Sequence, residues 1–436
     1  MPSTPLSYRA LTALGSALAP LAGMTGAKLR EGHRGRRGAA DRLRAWAAGH
    51  RDLRRPLVWF HASSVGEGLQ AESVLDALRE LRPDAQYAYT HFSPSAQGLA
   101  QRVAADVADY LPYDRPAPVD AVLDALSPDL LVFAKLDLWP ELATRAAGRG
   151  TTVAMVAATV SPGSGRLRWP SRVLLRPGYR SVAAAAAVSP EDAERLVRLG
   201  VPPERTRVLG DPRFDSVTAK VRAVALDDML LRLGRGAPTL VAGSTWPEDE
   251  EVLLPAFREV RRARPDARLI LVPHEPTPDH LEGAERRAQR AGLPAPTRLS
   301  AASGPVPFLL VDRVGVLASL YGAGTMAYVG GGFGRAGLHS VLEPAAWGLP
   351  VAFGPQWAES RDARLLLEAG AGVALPSVRE RGAAELARCW QDWIGDEEER
   401  AKRGRQAAAV VARGLGAARR SAGMLAELIG SRPPRR

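Results

Sequence analysis

Cysteine is nearly absent from this 436-residue chain, where Cys389 stands alone. That excludes a disulfide framework and any metal site built on cysteine. The seven histidines (33, 50, 61, 91, 274, 280 and 339) are scattered, with no HExxH and no paired ligand spacing. The sequence therefore calls for no metal and no bound cofactor. Self-similarity at a period of 20–50 residues is missing too, so a solenoid is excluded. Long apolar runs are scarce. The uncharged stretch 10–27 approaches the ~20 residues a membrane span needs, but it is poor in large apolar side chains and contains Gly15, Ser16, Pro20, Gly23, Thr25 and Gly26. It is read as a helix lying on or docking into an interface, with a span and a signal peptide as the alternatives.

What is present suits a soluble α/β protein with a full core: 46% hydrophobic and 24% charged residues over a length that implies two or three domains. The net charge of +11 is nearly all arginine. Much of it is interleaved with acids, as in 258–264, and reads as a solvated helix face. The exception is 28–55, where Lys28, Arg30, Arg34, Arg36, Arg37, Arg42, Arg44, Arg51, Arg54 and Arg55 far outnumber the acids. A basic segment behind an apolar one suits an anionic membrane leaflet.

From residue 57 short apolar runs alternate with helical stretches, the pattern of doubly wound α/β domains. Strands are expected at 57–61, 87–91, 130–134, 152–157 and 183–188, then in a second series at 239–243, 268–272, 308–311, 326–329 and 350–353. The divisions read from this are an N-terminal membrane-associating helix and basic segment (1–55), a first Rossmann-like domain (56–210), a second (211–415), and a helix end with a disordered tail (416–436). Two such halves are expected to face a central cleft. Ligands bind at the C-terminal ends of parallel strands, so the loops after the strands are where chemistry belongs.

Those loops carry the informative residues. Stretch 329–355 (VGGGFGRAGLHSVLEPAAWGLPVAFGP) reads as strand, glycine loop, helix start and strand. Its glycines allow close approach of backbone to a ligand, and amides at a helix start attract anions; Glu343 is then placed to hold a ribose hydroxyl pair. Glu67, after the first strand in HASSVGEG, is placed either to take a proton from an incoming hydroxyl or to complement a helix dipole. Lys135 and Asp137 follow the LLVFA strand, where charges rarely serve packing. Ser244 and Thr245 stand at another helix start, suited to a phosphate or to N-capping. His274 follows Pro273 after a strongly apolar strand, and Asp312, Arg313, Val314 and Gly315 end the next.

Taken together, WFHASSVGE (59–67), LPYD (111–114), LWP (138–140), GDPRFD (210–215), 242–251, LVP (271–273) and the glycine stretch resemble the 3-deoxy-D-manno-octulosonic acid (Kdo) transferases, in the same order and over residues 28–375. The resemblance implies a GT-B glycosyltransferase on the cytoplasmic side of the inner membrane. It would move Kdo from CMP-Kdo to a lipid A precursor in lipopolysaccharide core biosynthesis, with inversion and without a metal, and nucleic acid would not be a partner. It further implies Glu67 as general base and Asp137 and Arg213 as transition-state stabilisers. Pro273 and His274, Val314, Gly315 and Val316, and Ser340, Val341, Leu342 and Glu343 would form three CMP-binding segments, with Ser244 and Thr245 beside them. Helix N-termini near Ser244 and Ser340, with Arg213, would take the charge of the departing phosphate. The chain departs from the family pattern at Lys135 and Asp137 (two glutamates), Arg213 (lysine), Ser340 (asparagine), His274 and Glu275 (arginine–histidine) and Thr159 (arginine). Thr159 and Lys135 lie in the acceptor half, which puts the acceptor in question. The rival readings are a GT-B transferase using another nucleotide sugar or envelope acceptor, and a non-catalytic α/β protein held to membrane or nucleic acid by its basic N-terminal region.

Overall fold

A computed structural model describes residues 4–224 and 228–430. The expected tail 431–436 lies outside the described residues. The chain divides into two compact units, Met1–Ser216 with Gly414–Arg436, and Val217–Arg413.

The first unit is built on seven parallel strands: β1 (Leu57–His61), β2 (Gln86–His91), β3 (Val107–Tyr110), β4 (Leu130–Ala134), β5 (Thr152–Ala158), β6 (Ala184–Ala187) and β7 (Thr206–Val208), in the order β3-β2-β1-β4-β5-β6-β7. The order reverses between β1 and β4. Every residue of β1 is buried, as expected of a central parallel strand covered on both faces. Successive side chains feed opposite layers: Leu57 and Trp59 enter one core with Phe133 and Leu142, while Val58 and Phe60 enter the other with Val74 and Leu75.

The second unit repeats the plan with β8 (Thr239–Thr245), β9 (Arg268–Pro273), β10 (Thr297–Arg298), β11 (Phe308–Leu310), β12 (Met326–Val329), β13 (Val351–Phe353) and β14 (Gly372–Ala374). Their order is β10-β11-β9-β8-β12-β13-β14, with the reversal between β8 and β12. Strands β3, β7, β10 and β14 escape the sequence reading because they are short edge strands. β3, for example, exposes or half-exposes three of its four residues and has no apolar run to mark it.

Residues 414–430 return to the first unit. The helix Ala417–Gly430 contributes Ala418, Ala422, Leu425 and Ile429 to the core beneath α4 (defined below), and Asp215 accepts from the backbone N–H groups of Gly416 and Ala418 at its start.

Three helices precede β1: α1 (Leu6–Thr25), α2 (Ala27–Arg36) and α3 (Ala39–His50); α4 (Val65–Leu81) follows it. The stretch expected to be apolar thus begins earlier, at Leu6, and α1 is turned inside out. Its inward stripe is polar: Tyr8 donates to Asp114 (2.7 Å), Arg9 to Glu141 (3.0 Å), and Ser16 receives Arg115 (3.3 Å). Leu6, Leu11, Leu14 and Leu18 face outward and are exposed. Among the described residues no helix is long and apolar enough to cross a membrane.

Candidate active site

At the reversal of the first sheet, the loops after β1 and β4 meet. Lys135, directly after β4, adopts φ +58°, a left-handed conformation that costs a non-glycine residue about 1–2 kcal/mol. This tight turn sends Asp137 back toward β1, where His61 Nε2 lies 3.3 Å from its Oδ2. The Ser63 hydroxyl donates to the same Oδ2. An ionised carboxylate only accepts, so the His61 nitrogen that bonds it, Nε2, is the one that carries a proton. Behind it, His61 Nδ1 bonds Thr90 Oγ1 (3.0 Å), which also accepts the Trp59 indole N–H (2.8 Å). Trp139 Nε1 and Arg166 Nη2 complete the shell at 3.4 and 3.8 Å. Burial by itself would raise the Asp137 carboxyl, but the His61 bond and charge, with Arg166 and Trp139, hold it below the usual carboxylate range.

Glu67 sits on the next turn of the same loop. The Ser64 N–H (2.9 Å) and hydroxyl (2.7 Å) donate to its Oε2, and the Glu67 N–H reaches Ser64 Oγ (3.5 Å), which is a complete capping box at the start of α4. Adjacent serines therefore hold two carboxylates, Ser63 on Asp137 and Ser64 on Glu67. Phe92 and Ser93 N–H groups staple the loop by donating to Ser63 O (3.2 and 2.7 Å). Thr159 bonds Asp192 (3.1 Å), while Arg166, from the same β5–β6 connection, supplies the guanidinium beside Asp137. Arg213 also lies in the first unit, at the start of Arg213–Ala223, clamped on the buried Asp211 through Nε (2.9 Å) and Nη2 (2.6 Å).

The second sheet collects different chemistry at its reversal. Ser244 takes φ +54° at the end of β8. A Cβ on Gly330 would stand 2.3 Å from Ser244 O, so the strand-end approach requires glycine there. Buried Asp249 ties the two loops together, accepting from Trp246 N (2.9 Å), Gly331 N (2.8 Å) and the Tyr328 hydroxyl (2.8 Å). Above it three rings stack. His274 lies 4.2 Å from His339 and 5.0 Å from Trp246 between centroids, and Trp246 Nε1 donates to His339 Nε2 (3.0 Å). Burial, then the neighbouring His274, lowers the His339 pKa to about 4, in keeping with an Nε2 that accepts.

Other expected residues divide into those at this crevice and those turned away. Thr245 is buried and donates to Glu250 (3.2 Å), which also receives His280 (3.0 Å) and Arg287 (2.8 Å), so its hydroxyl serves the scaffold. Pro273 ends β9, and the His274 N–H donates to Thr245 O (2.9 Å). Val341 and Leu342 are core residues whose side chains are buried, which leaves backbone alone for any ligand contact. Ser340 Oγ accepts from Leu342 N (3.4 Å) at the start of the five-residue helix Leu342–Ala346, and Glu343 pairs with Lys220 at 3.4 Å. Val314, Gly315 and Val316 form a loop after β11, with Gly315 at φ +85° and Val314 exposed. Sequence reasoning missed His61, Ser63, Arg166, Lys220, Trp246, Asp249 and His339. For His61, Ser63, Trp246, Asp249 and His339 the signal available was position alone, in or beside a strand-end loop already singled out, whereas Arg166 and Lys220 lie far along the chain from the carboxylates they face. Among the described residues no group of three or more His, Cys, Asp or Glu stands close enough to hold a metal.

Two seven-stranded parallel sheets, each presenting polar loops where its strand order reverses, define the GT-B type of α/β protein. Solved structures share the fold: UDP-GlcNAc 2-epimerase from Neisseria meningitidis bound to UDP-GlcNAc (TM-score 0.62, 12% identity, covering 87% of this chain and 100% of that one), and Anabaena HepE in complex with UDP and glucose (TM-score 0.52, 16% identity, 86% and 99%). Residues 35–216 match the family model of the 3-deoxy-D-manno-octulosonic acid transferases (kdotransferases). It is similar to the curated 3-deoxy-D-manno-octulosonic acid transferases of Bordetella pertussis (29% identical over 387 residues, 78% of this chain and 87% of that protein) and Chlamydophila psittaci (29% over 333 residues, 73% and 74%). That of Aquifex aeolicus is 27% identical over 338 residues (74% and 83%).

Proposed function

We propose that this chain is a Kdo transferase, an inverting, metal-independent glycosyltransferase that moves Kdo from CMP-Kdo to a lipid A precursor at the cytoplasmic face of the inner membrane. The observation that carries the reading is the pair of carboxylates, Glu67 and Asp137, held by adjacent serines at the strand-order reversal of the first sheet. Glu67 acts as general base on the acceptor hydroxyl. Its Oε2 leaves the Ser64 cap for that proton, a proton transfer of the kind that contributes ~10²–10⁴-fold. Asp137, kept ionised by His61 and Arg166, supplies the negative charge that favours the oxocarbenium-like centre as the donor ester breaks. Arg213 answers the charge of the departing phosphate, and no metal is called on for that step. In the second unit, the ring stack of Trp246, His274 and His339 offers a face to the cytosine, Glu343 takes the ribose hydroxyls in exchange for Lys220, and the amides near Ser340 take the phosphate.

Attack from the face opposite the leaving CMP gives inversion. The outward leucines of α1, together with the basic residues of α2, support membrane association, because an apolar outer face on a helix pinned by polar bonds has no partner within the described chain. The test is incubation of the full chain with CMP-Kdo and a lipid A precursor, with products read by mass. A mass increase of one or more Kdo units is expected with wild type and none with Glu67→Gln; a UDP-sugar donor giving product instead would overturn the assignment.

A further inference from the structure

The connection between β5 and β6 emerges at the strand-end face of the first unit and carries chemistry that the proposed reaction does not use. Between residues 160 and 182 it contains five arginines and no acid. Arg166 turns inward to Asp137. The others turn outward: Arg168 and Trp169 precede the helix Ser171–Arg180, and Arg172, Val173, Arg176 and Arg180 follow at helical spacing, all exposed. Trp169 is 82% exposed, whereas the other eight tryptophans are buried or half-buried. Among the described residues no carboxylate pairs with the side chains of Arg168, Arg172, Arg176 or Arg180. An exposed indole flanked in sequence by guanidinium groups that have no carboxylate partner leaves a large apolar ring in water. It matches the boundary of an anionic bilayer, where indole rings settle at headgroup level and each cation near the surface adds attraction.

The location agrees. Arg166 of this segment lies near Tyr8 of α1, whose phenol is raised by burial and by Asp114 and pulled down by Arg166. Through Arg166, which faces Asp137, this connection stands at the strand-end loops after β1 and β4 and beside Tyr8 of α1, all within one unit.

We infer that Arg168, Trp169, Arg172, Val173 and Arg176 form a second membrane contact, separate from α1, that docks on an anionic bilayer surface and turns the strand-end face of the first unit toward it. The inference rests on the membrane placement proposed above, not on the identity of the sugar.

The test uses the full chain and vesicles of neutral phosphatidylcholine, with or without phosphatidylglycerol. Wild type is expected to bind the anionic vesicles more tightly, with binding that weakens as salt rises. The triple variant Arg168→Glu, Arg172→Glu, Arg176→Glu is expected to lose about tenfold or more in affinity. The exposed pair Arg286→Glu, Arg290→Glu on Pro278–Arg290, which likewise replaces arginine by glutamate, should lose far less. Brominated lipid should quench a component of tryptophan emission that disappears in Trp169→Phe. CMP binding by the variants reports that they are folded, and Arg172→Glu alone serves if the triple variant is not. Transfer to an acceptor dispersed in detergent should be unchanged, while transfer to the same acceptor in vesicles falls. Equal vesicle binding by wild type and the variants would overturn the proposal. So would full competition by soluble glycerol phosphate, or a preference for RNA over vesicles. If no Kdo transfer occurs at all, the enzymatic reading fails while the vesicle result still decides this one.

Discussion

The two sheets share a strand plan, each reversing its order at the centre, yet the reversals are furnished in opposite ways. In the first, the loops after β1 and β4 present side-chain charge: two carboxylates held by Ser63 and Ser64, with His61 and Arg166 around one of them. In the second, the loops after β8 and β12 present backbone and rings: glycines whose Cβ atoms would strike neighbouring main chain, and a stack of Trp246, His274 and His339 over a buried Asp249. Ionised groups that must act on a proton or a developing charge need orientation by other side chains. A flat base and a phosphate need a face and free N–H groups. The shared topology provides the crevice in both units, and the loops decide what each does.

The sharpest way to break this contrast is Glu67→Gln. Glutamine at this position can still complete a capping box, so the fold should survive, yet it cannot accept a proton. Turnover should fall by about 10²–10⁴-fold while CMP affinity and melting temperature hold. A variant with normal turnover would reduce Glu67 to a helix cap. The companion Ser64→Ala removes the cap and should cost stability of about 0.5–2 kcal/mol with a smaller loss of rate.

Next in size is His61→Leu, for which a loss of about tenfold at neutral pH is expected. The Asp137 carboxyl is depressed in the fold, so its contribution to stability is present above the unfolded value of ~3.9 and disappears as pH falls through the lower folded value. Without His61 the carboxyl rises, and the acid limb of the rate profile should move to higher pH. An unshifted limb would show that His61 merely fills space.

In the second unit, Glu343→Ala should weaken CMP binding by about tenfold, ~1.4 kcal/mol, and should remove any preference for CMP over its 2′-deoxy analogue. A retained preference would assign the ribose elsewhere.

The contrast also explains what could be read from the chain alone. Central strands such as LVWFH and LLVFA announce themselves because both faces are buried. The edge strands do not: Thr206–Val208 half-exposes its first residue and exposes the other two. Glu67, Asp137 and Glu343 stood out as charges on strand-end loops. Their partners did not: His61 is the last residue of a buried strand, Arg166 lies 29 positions beyond Asp137, and Asp249 looks like any acid in a first helical turn. Val341 and Leu342 went the other way, since a motif cannot tell a residue that touches a ligand from one that packs beneath it. Spacing along the chain reveals loops, but which side chains those loops share depends on strand order.

The smallest expected effect separates the two sites by acidity. His339 is neutral in the fold, with its pKa taken from 6.5 to about 4 by burial and by His274. A depressed histidine contributes stability that is complete above its unfolded value and is lost as pH falls through the folded one. Between pH 6.5 and 4, proton uptake by the unfolded chain should therefore lower the melting temperature of the second unit. In the folded state a proton on Nε2 would displace the Trp246 N–H and set a charge against His274, so CMP affinity should weaken toward the acid end of that window. His339→Gln retains an acceptor for Trp246 but does not titrate, and both quantities should become flatter over the window. The Asp137 site responds only at lower pH, because its carboxyl is held below the ordinary range. Calorimetric CMP titrations and thermal melts across pH 4–7 would distinguish the two, and an equal pH response in wild type and His339→Gln would leave the ring stack as a packing feature.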